Sequence, residues 1–408
     1  ASERRGVWFG LGGASAGVEL GDVSDFEQRL DDISEALNEQ YQTPSEAQDA
    51  LNEINGFIDD LGERGYANIQ ARAQPPLMPL GAGLPGVGGQ FSLGVEALAN
   101  ARVEFLNDPL CIATPPRVTA TPPGVTATPP GVTIGNQCSS PSGGDVRLRS
   151  DSSAYIKGAA GGVASLGYSS EALFRRDGEL ILGARLNRYE LELSRGLHRL
   201  ANENESGESA DIGDGLEDEF DRNSREVSAT GLDLGMLWKA ERYRLGATLY
   251  NVNEPSFAYP AIGNDCQALD GNAKSNCDAA DKLAGQFNNN ETHTMEQQLE
   301  LEAGVFSSDR TWSLTSTYDV DSTPDVLGNE QQWFSLTGSL SPRGWWIPGL
   351  RLGYQANQAG SELSYYTGGL TLFRLINIDA AVSEETVEVD GEELPRSARV
   401  SLGLELFF

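Results

Sequence analysis

The closing segment of the chain, ARVSLGLELFF at residues 398–408, alternates between two kinds of side chain. One face is wholly apolar and consists of Val400, Leu402, Leu404, Leu406 and Phe408. The residues between them are mostly small or charged. A period of two is typical of a β-strand whose two faces meet different surroundings. About ten residues is also the length of a tilted strand that crosses a bilayer.

The same alternation recurs along the whole chain, in fourteen segments. These segments cover residues 6–19, 66–83, 89–107, 152–174, 179–198, 227–239, 242–252, 293–306, 311–320, 330–341, 350–359, 364–373, 376–385 and 396–408. Short turns alternate with longer connections, and the longest connections cover residues 20–65, 108–151, 199–226 and 253–292. An even strand number with short turns at one end and long loops at the other is typical of outer-membrane barrels. We therefore predict an all-β fold, a transmembrane antiparallel β-barrel of about 14 strands that forms a single domain over residues 1–408. A soluble β-sandwich, which also alternates, is the alternative.

Composition excludes several other classes of protein. The chain carries 29 basic against 60 acidic residues and a formal net charge of −31, which argues against binding nucleic acid. It has no run of 18 apolar residues, so no transmembrane helix is expected. The chain begins ASERR without a signal peptide, which we interpret as a mature form or a truncated one.

Aromatic residues cluster at the two ends of the predicted strands. The group at the short-turn end contains Trp8, Trp238, Trp312, Trp345 and Trp346. The group at the long-loop end contains Tyr250, Trp333, Tyr365 and Tyr366. Two bands of Trp and Tyr at the membrane interfaces form the girdles of a barrel, so we predict that both groups face lipid.

The opposite face of the predicted strands is polar. The candidate lumen-lining residues are Arg185, Asn187, Asp233, Glu296, Gln298, Glu300, Arg351, Gln355, Arg399 and Glu405. A tunnel for apolar ligands would have an apolar lining. Mixed charges can instead form a closed, salt-bridged interior or line a narrow hydrophilic pore, and the sequence leaves both readings open.

The long connections contain their own elements. Apolar residues at helical spacing predict helices over 22–41 and 44–62, with a capping box at Ser24 and Glu27, as a hairpin on or in the barrel mouth. Residues 114–134 repeat TPPxVTx, which favours an extended, polyproline-like segment. Residues 203–221 are densely acidic and are expected to be a solvated loop. The locally paired cysteines predict two disulfides, Cys111 with Cys138 and Cys266 with Cys277.

Candidate catalytic chemistry is sparse. The only histidines are His198 and His293, both at predicted strand ends, and no GxSxG or HExxH motif accompanies either. We expect surface residues rather than a catalytic pair, and a protein that is not an enzyme and needs no metal or cofactor. A hydrolase with its site at the rim is the weakest alternative.

One stretch resembles a known family. Residues 231–260, GLDLGMLWKAERYRLGATLYNVNEPSFAYP, resemble the conjugal-transfer TraF-like outer-membrane proteins, barrels related to the long-chain fatty-acid transporter superfamily. The resemblance implies a fourteen-strand barrel and passage of small hydrophobic molecules through a plugged lumen. Residues 1–20 read as a first strand, so the superfamily's N-terminal hatch with its Asn-Pro-Ala motif is not matched here.

Two functional hypotheses follow. In the first, the protein is a passive channel for small molecules in the Gram-negative outer membrane. In the second, the barrel is an anchor whose outer loops contact a surface or matrix partner. In both, the expected partners are outer-membrane lipid and lipopolysaccharide, together with the barrel-assembly machinery, which would recognise the terminal Phe408.

Overall fold

The structure is a computed structural model that describes residues 7–83, 89–114, 137–139, 146–175, 177–201, 212–389 and 391–406. Its main feature is a closed barrel of 14 antiparallel strands, in which β1 pairs with both β2 and β14. The barrel strands are β1 Val7–Leu20, β2 Tyr66–Gln74 continued by Leu80–Gly83, β3 Gln90–Leu106, β4 Ser153–Arg175, β5 Gly178–Arg199, β6 Ser224–Lys239, β7 Tyr243–Tyr250, β8 Gln298–Phe306, β9 Trp312–Asp319, β10 Trp333–Leu340, β11 Gly349–Asn357, β12 Ser364–Leu372, β13 Ile376–Ser383 and β14 Ser397–Leu406.

The connections hold four described helices and several short strands. The helices are α1 Phe26–Asn38, α2 Pro44–Arg64, α3 Ile212–Arg222 and α4 Gly271–Lys282, with a 3₁₀ turn at Cys266–Ala268. The loop strands are Cys111–Thr114, Gln137–Ser139, Arg147–Arg149, Ser256–Ala258, Thr292–Thr294, Thr323–Pro324, Glu330–Gln331, Thr386–Val389 and Glu392–Pro395. Among the described residues, none of the helices combines the length and the hydropathy that crossing a membrane requires.

The predicted strand number and the alternation of short and long connections are confirmed. Several strand boundaries differ from the prediction, and two of the differences have a visible cause. β2 is interrupted after Gln74, where Pro75 and Pro76 provide no N–H for the ladder. β8 begins at Gln298 rather than at residue 293, because Thr294 pairs with Ser256 in a separate small sheet.

The outer surface of the barrel is an apolar belt. Large apolar side chains occupy alternate positions on nearly every strand and are exposed on the outside of the barrel. They include Val18, Ile69, Leu93, Leu166, Leu186, Leu234, Leu245, Leu301, Leu314, Leu336, Leu352, Leu370, Ile378, Val400 and Leu402. A closed barrel with such a belt is the architecture of a protein embedded in the Gram-negative outer membrane, with its long loops at the outer end. The end with the short turns is then the periplasmic end.

Aromatic residues flank the belt, although not all of the predicted ones. At the periplasmic end, Trp312 and Trp345 point outward, and Trp346 is 75% exposed against Phe373, with ring centroids 5.6 Å apart. Trp238 occupies an outward position of β6, whereas the side chain of Trp8 lies outside the described residues.

At the outer end the predicted girdle needs correction. Tyr366 faces outward, but Tyr250, Trp333 and Tyr365 occupy inward positions, and Tyr365 is completely buried. Their polar atoms explain this placement: the hydroxyl of Tyr365 donates to Glu19 at 3.1 Å and that of Tyr250 to Glu300 at 3.3 Å. The outward aromatic residues of this end are instead Tyr318, Phe334, Tyr354 and Tyr366, on the neighbouring strands β9 to β12.

The four strands β3 to β6 rise above the membrane belt and form a wall extension. They contain 17, 23, 22 and 16 residues, whereas β7 to β14 contain 8 to 10. Helices α1, α2 and α3 pack on the outward face of this extension in one apolar core. That core includes Leu30, Ile33, Leu51, Ile54, Ile58, Leu61, Phe105, Leu148, Ala154 and Leu216. Because these contacts are on the outward face, the helical hairpin is not the element that closes the mouth.

A local sequence signal accounts for the start of α2. Thr43 and Glu46 form the capping box of α2, with the Glu46 N–H donating to Thr43 Oγ1 at 3.3 Å. The capping box predicted at Ser24 and Glu27 is wrong, since α1 begins after Asp25, which is left-handed and makes no side-chain cap. The acidic segment was expected to be a loop, but part of it forms α3, whose Leu216 joins the apolar core.

Both disulfide predictions can be located. Cys266 and Cys277 are bonded, with 5.4 Å between their Cα atoms. Cys111 is disulfide-bonded, and no described cysteine is free. The backbone of Cys138 pairs beside Ala113 in the small three-stranded sheet, whereas its side chain and the TPPxVTx repeat lie outside the described residues, as does Phe408.

Candidate functional site: the barrel interior and its outer chamber

The inner wall of the barrel is polar and ion-paired. Alternation places apolar side chains in the lipid belt, so the residues between them face inward. Six ion pairs link inward side chains of different strands. They are Arg72–Glu96, Arg185–Asp233, Lys239–Glu179, Arg244–Glu302, Arg351–Asp379 and Arg399–Glu19. Each basic group of the wall therefore meets an acidic partner, and the wall offers water hydrogen-bonding groups throughout.

Several of the predicted lumen residues come together in these pairs. Asp233 accepts from Arg185 Nε at 2.8 Å and from Asn187 Nδ2 at 2.7 Å, in the middle of the β5–β6 ladder. It also accepts the backbone N–H of Asn251 at 3.0 Å, which fixes the end of β7. The carboxylate of this single buried residue thus joins three strands.

A second pair bridges across an intervening strand. Arg351 of β11 donates from Nε to Asp379 Oδ1 of β13 at 2.8 Å, above Gly369 of β12. A Cβ atom on Gly369 would lie 1.9 Å from that carboxylate oxygen, so the bridge requires glycine at this position. The absence of a side chain is therefore a structural condition for this ion pair.

The remaining predicted lumen residues are distributed around the wall. Gln298 donates to Asp319 at 3.1 Å, Glu300 accepts from Tyr250, and Gln355 occupies an inward position of β11. Arg399 lies beneath the rings of Trp333 and Tyr365, at 4.9 and 4.7 Å from their centroids.

One predicted lumen residue lies outside this wall, and another cannot be assigned to it. Glu296 is wrongly placed by the sequence: it is exposed and lies in the connection before β8, because β8 starts only at Gln298. Glu405 belongs to β14, but its side chain lies outside the described residues.

The outer third of the lumen widens into a cavity of about 910 Å³, here called the outer chamber. Its lining is polar and carries both signs of charge. The residues that define it are Glu19, Tyr66, Arg72, Asn100, Arg102, Glu104, Lys157, Tyr189, Glu291, Asp325, Trp333 and Arg399. Of the features described above, Trp333, the Arg399–Glu19 pair and Arg72 line this compartment.

The segment that covers the mouth is the connection between β7 and β8, residues 251–297, here called the cap. Its Phe257 and Tyr259 are buried with Tyr189, Leu191 and Leu193 on the inner face of the wall extension. Its helix α4 packs through Ala279, Ala280 and Leu283 in a second apolar cluster higher up. The cap therefore rests on the lumen side of the same wall whose outward face carries the helical hairpin.

One arginine of the wall holds the cap in place. Arg195 has no exposed surface, and its Nε donates to the carbonyl of Pro260 at 2.6 Å. Its Nη1 donates to the carbonyl of Asn288 at 2.6 Å, and its Nη2 donates to that of Asn289. All three acceptors belong to the cap. A guanidinium carries its donors in a fixed planar arrangement, so three carbonyls in this geometry fix both ends of the segment to β5.

A second connection, residues 320–332, joins the cap at the mouth. The hydroxyl of Tyr259 donates to the carbonyl of Val326 at 2.7 Å, and Arg102 of the wall donates to Asn329. Within this connection Asp325 accepts the backbone N–H groups of Leu327 and Asn329, at 2.9 and 2.8 Å. The chamber is therefore covered by two loops that are hydrogen-bonded to one another and to the wall.

The two histidines are buried rather than on the surface, which corrects the expectation from the sequence. His198 is on the outward face under α3, where a Cβ on Gly215 would lie 2.1 Å from its ring. His293 pairs with Phe257 in the small sheet of the cap. Burial, and then the positive charge of Lys157, lower the pKa of His293 below its ordinary value.

The arrangement forms a compartment for a small solute. Within the described residues, no three His, Cys, Asp or Glu side chains are arranged to hold a metal ion. What the site offers is a polar chamber of mixed charge that two loops cover. The sequence missed the cap and its arginine, although the inward parity of Arg195 on a long strand was a signal that could have identified it.

The chain is similar to several known proteins. A family model described as "F plasmid transfer operon, TraF, protein" matches residues 1–319. One similar solved structure is a "TodX deltaS2S3 mutant monoaromatic hydrocarbon channel", with 11% identity over 99% of this chain and 91% of that chain and a TM-score of 0.43. A second is the Ralstonia pickettii toluene transporter TbuX, with 10% identity over 99% of this chain and 90% of that chain and a TM-score of 0.39. A third is a Pseudomonas aeruginosa FadL homologue, with 10% identity over 98% of this chain and 89% of that chain and a TM-score of 0.40. No curated protein matches the chain. This family model covers well over half of the sequence. The chain therefore belongs to the family that the model describes, the TraF protein of the F plasmid transfer operon.

Proposed function

We propose that this protein is a passive outer-membrane channel for small polar molecules, with the outer chamber as its entrance. The observation that carries the proposal is the ion-paired inner wall, which continues from the chamber down the strands. Such a wall solvates polar solutes and offers little to an apolar one. This argues for polar solutes rather than the hydrophobic molecules that the family resemblance implied.

The cap sets the rate of entry in this proposal. It is held by hydrogen bonds to wall side chains and by apolar contacts with the wall extension and with Val326 of the neighbouring connection. Loops held in this way open with a smaller free energy than the barrel itself. Solutes therefore enter when the cap moves, and the wall then offers hydrogen-bonding groups along the path.

Liposome swelling tests the proposal. Purified protein is reconstituted, and swelling rates are measured with neutral sugars and amino acids of increasing size. Liposomes with heat-denatured protein are the blank, and the outer-surface variant Glu190→Gln is the matched control, because that side chain is exposed on the outside of the wall. We expect swelling that falls with solute size and is equal in the control. No swelling with any solute would refute the channel.

A second function is supported by the extramembrane layer. The helical hairpin, α3 and the small three-stranded sheet pack on the outward face of the wall extension, where they do not cover the mouth. This layer suits contact with a surface partner, with the barrel as its anchor. Deleting residues 115–136 distinguishes the two functions: unchanged swelling with loss of cell-surface association favours the second.

A further inference from the structure

Beside the outer chamber lies a smaller side cavity of about 310 Å³, here called the recess. It shares Arg102, Glu104, Lys157 and Glu291 with the chamber and extends from them to Tyr155 and Phe287. Its volume is at the lower end of the range for small-ligand pockets. The recess thus has a charged opening toward the chamber and an aromatic deep end.

The charged opening carries two basic and two acidic groups. Arg102 Nε donates to Glu104 at 3.1 Å, and Lys157 pairs with Glu291 of the cap. The rings of Tyr66 and Tyr259 lie beneath the two cations, at 4.4 and 4.6 Å from their centroids. Since the charges balance, the opening favours neither a simple cation nor a simple anion. A molecule with one group of each sign meets a partner for both.

The deep end is aromatic. The rings of Tyr155 and Phe287 are stacked, with centroids 5.3 Å apart and an angle of 18° between their planes. Tyr155 is 4% exposed and Phe287 is partly buried against the same cluster, so the two rings form an apolar end of the recess.

We infer that the recess binds a small zwitterion with an apolar side chain, that is, a free amino acid or a very short peptide. Its ammonium group meets Glu104 and Glu291, its carboxylate meets Arg102 and Lys157, and its side chain lies against the stacked rings. The inference deepens the proposed function, on which it rests, by naming the class of solute that the entrance selects.

Equilibrium binding to the purified protein in detergent tests this inference. The probes are phenylalanine, its two single-charge analogues phenylacetate and phenethylamine, and glycine, which has the zwitterion without the apolar part. Saturable binding of phenylalanine, at least about tenfold tighter than that of each other probe, is expected because each removed group loses a charge-assisted hydrogen bond or an apolar contact. Equal binding of the single-charge analogues, or no saturable binding, would overturn the inference.

Two variants separate a ligand site from a structural cluster. Phe287→Ala removes one of the two stacked rings and lowers the affinity for phenylalanine at least several-fold. Tyr155→Phe keeps both rings and lowers the affinity far less. The matched control Glu190→Gln, on the outer surface of the wall, leaves the affinity unchanged. An unchanged affinity in Phe287→Ala would show that this ring only holds the cap.

The outcomes for channel and site are distinguishable. Swelling with sugars but no binding of phenylalanine would leave the channel in place and remove the amino-acid site. Binding without swelling would keep the site and remove the channel, because binding is measured in detergent and does not depend on passage.

Discussion

Replacing Arg195 with alanine should release the cap without unfolding the barrel. The guanidinium is fully buried and supplies three hydrogen bonds to cap carbonyls, two of them at 2.6 Å, in addition to a 3.5 Å contact with Glu291. A hydrogen bond from a charged donor contributes about 1.5–3 kcal/mol. Water reaches the vacated site at the mouth, so we expect a net loss of about 3–5 kcal/mol, the range for breaking a buried ionic contact.

Hydrogen exchange measures this loss directly. In the cap, the N–H of Tyr259 donates to Glu291 and that of Ile262 to Asn289, at 3.0 and 3.4 Å. Since every 1.4 kcal/mol corresponds to a factor of ten, exchange of these amides should accelerate by about 100- to 3000-fold in Arg195→Ala. The variant Arg244→Ala, which breaks the Arg244–Glu302 pair at the periplasmic end of the wall, is the control and should leave cap exchange unchanged. Unchanged protection in Arg195→Ala, or an equal loss throughout the barrel, would refute the reasoning.

Three other predictions test the wall, the cap and the belt. Gly369→Leu should break the Arg351–Asp379 bridge and destabilise the barrel by about 1–3 kcal/mol in urea unfolding, whereas Gly368→Leu, which points to lipid with open space around it, should change little. The pKa of His293 is lowered by burial and by Lys157, against the opposing charges of Asp325 and Glu291, so the opened cap binds more protons than the closed one. Closure of the cap should therefore be favoured above about pH 6.5 and should weaken as the pH falls below that value. Hydrogen exchange of the cap amides at two pH values measures this effect, and His293→Gln should remove it. Leu402→Arg places a charge in the lipid belt and should lower the barrel's free energy of unfolding, measured by gel shift, by about 2–4 kcal/mol. Ser401→Arg, on the inner face, should lower it far less. Equal losses would contradict the assignment of the two faces.

Most of the barrel could be predicted from the sequence because a strand between lipid and a polar lumen must alternate. That single constraint identifies β14, β6 and β11, and it identifies Arg185, Asp233 and Arg351 as inward residues. It fails where the chain leaves the membrane. There, both faces of a strand meet protein, so the alternation no longer shows which face points into the barrel.

The misplaced aromatic residues illustrate this limit. Tyr250, Trp333 and Tyr365 lie at strand ends. There the sequence predicts the position of a residue along the strand but not whether its side chain points inward or outward. Their inward orientation depends on hydrogen bonds to Glu300, Gln331 and Glu19, which belong to other strands or loops. Sequence spacing carries no information about such partners.

The cap escaped prediction for a related reason. Residues 251–297 are polar and loop-like, and only their docking on β5 shows that they cover the mouth. The wall arginine that holds them, Arg195, is marked in the sequence by its inward position on a long strand, but that position does not show which carbonyls it contacts. The acidic stretch conceals the helix α3: among its described side chains, the apolar ones that face the wall are Leu216 and Phe220, and acidic residues surround them in the sequence.

Single-channel recording in planar bilayers tests the central claim, that the polar lumen is a passage covered by the cap. Wild-type protein and Arg195→Ala are compared in the same salt and at the same voltage, with Glu190→Gln as the control. The account predicts small or infrequent conductance steps for the wild type and the control, and larger or more frequent steps for Arg195→Ala. An absence of steps in all three proteins, or identical steps in all three, would contradict it.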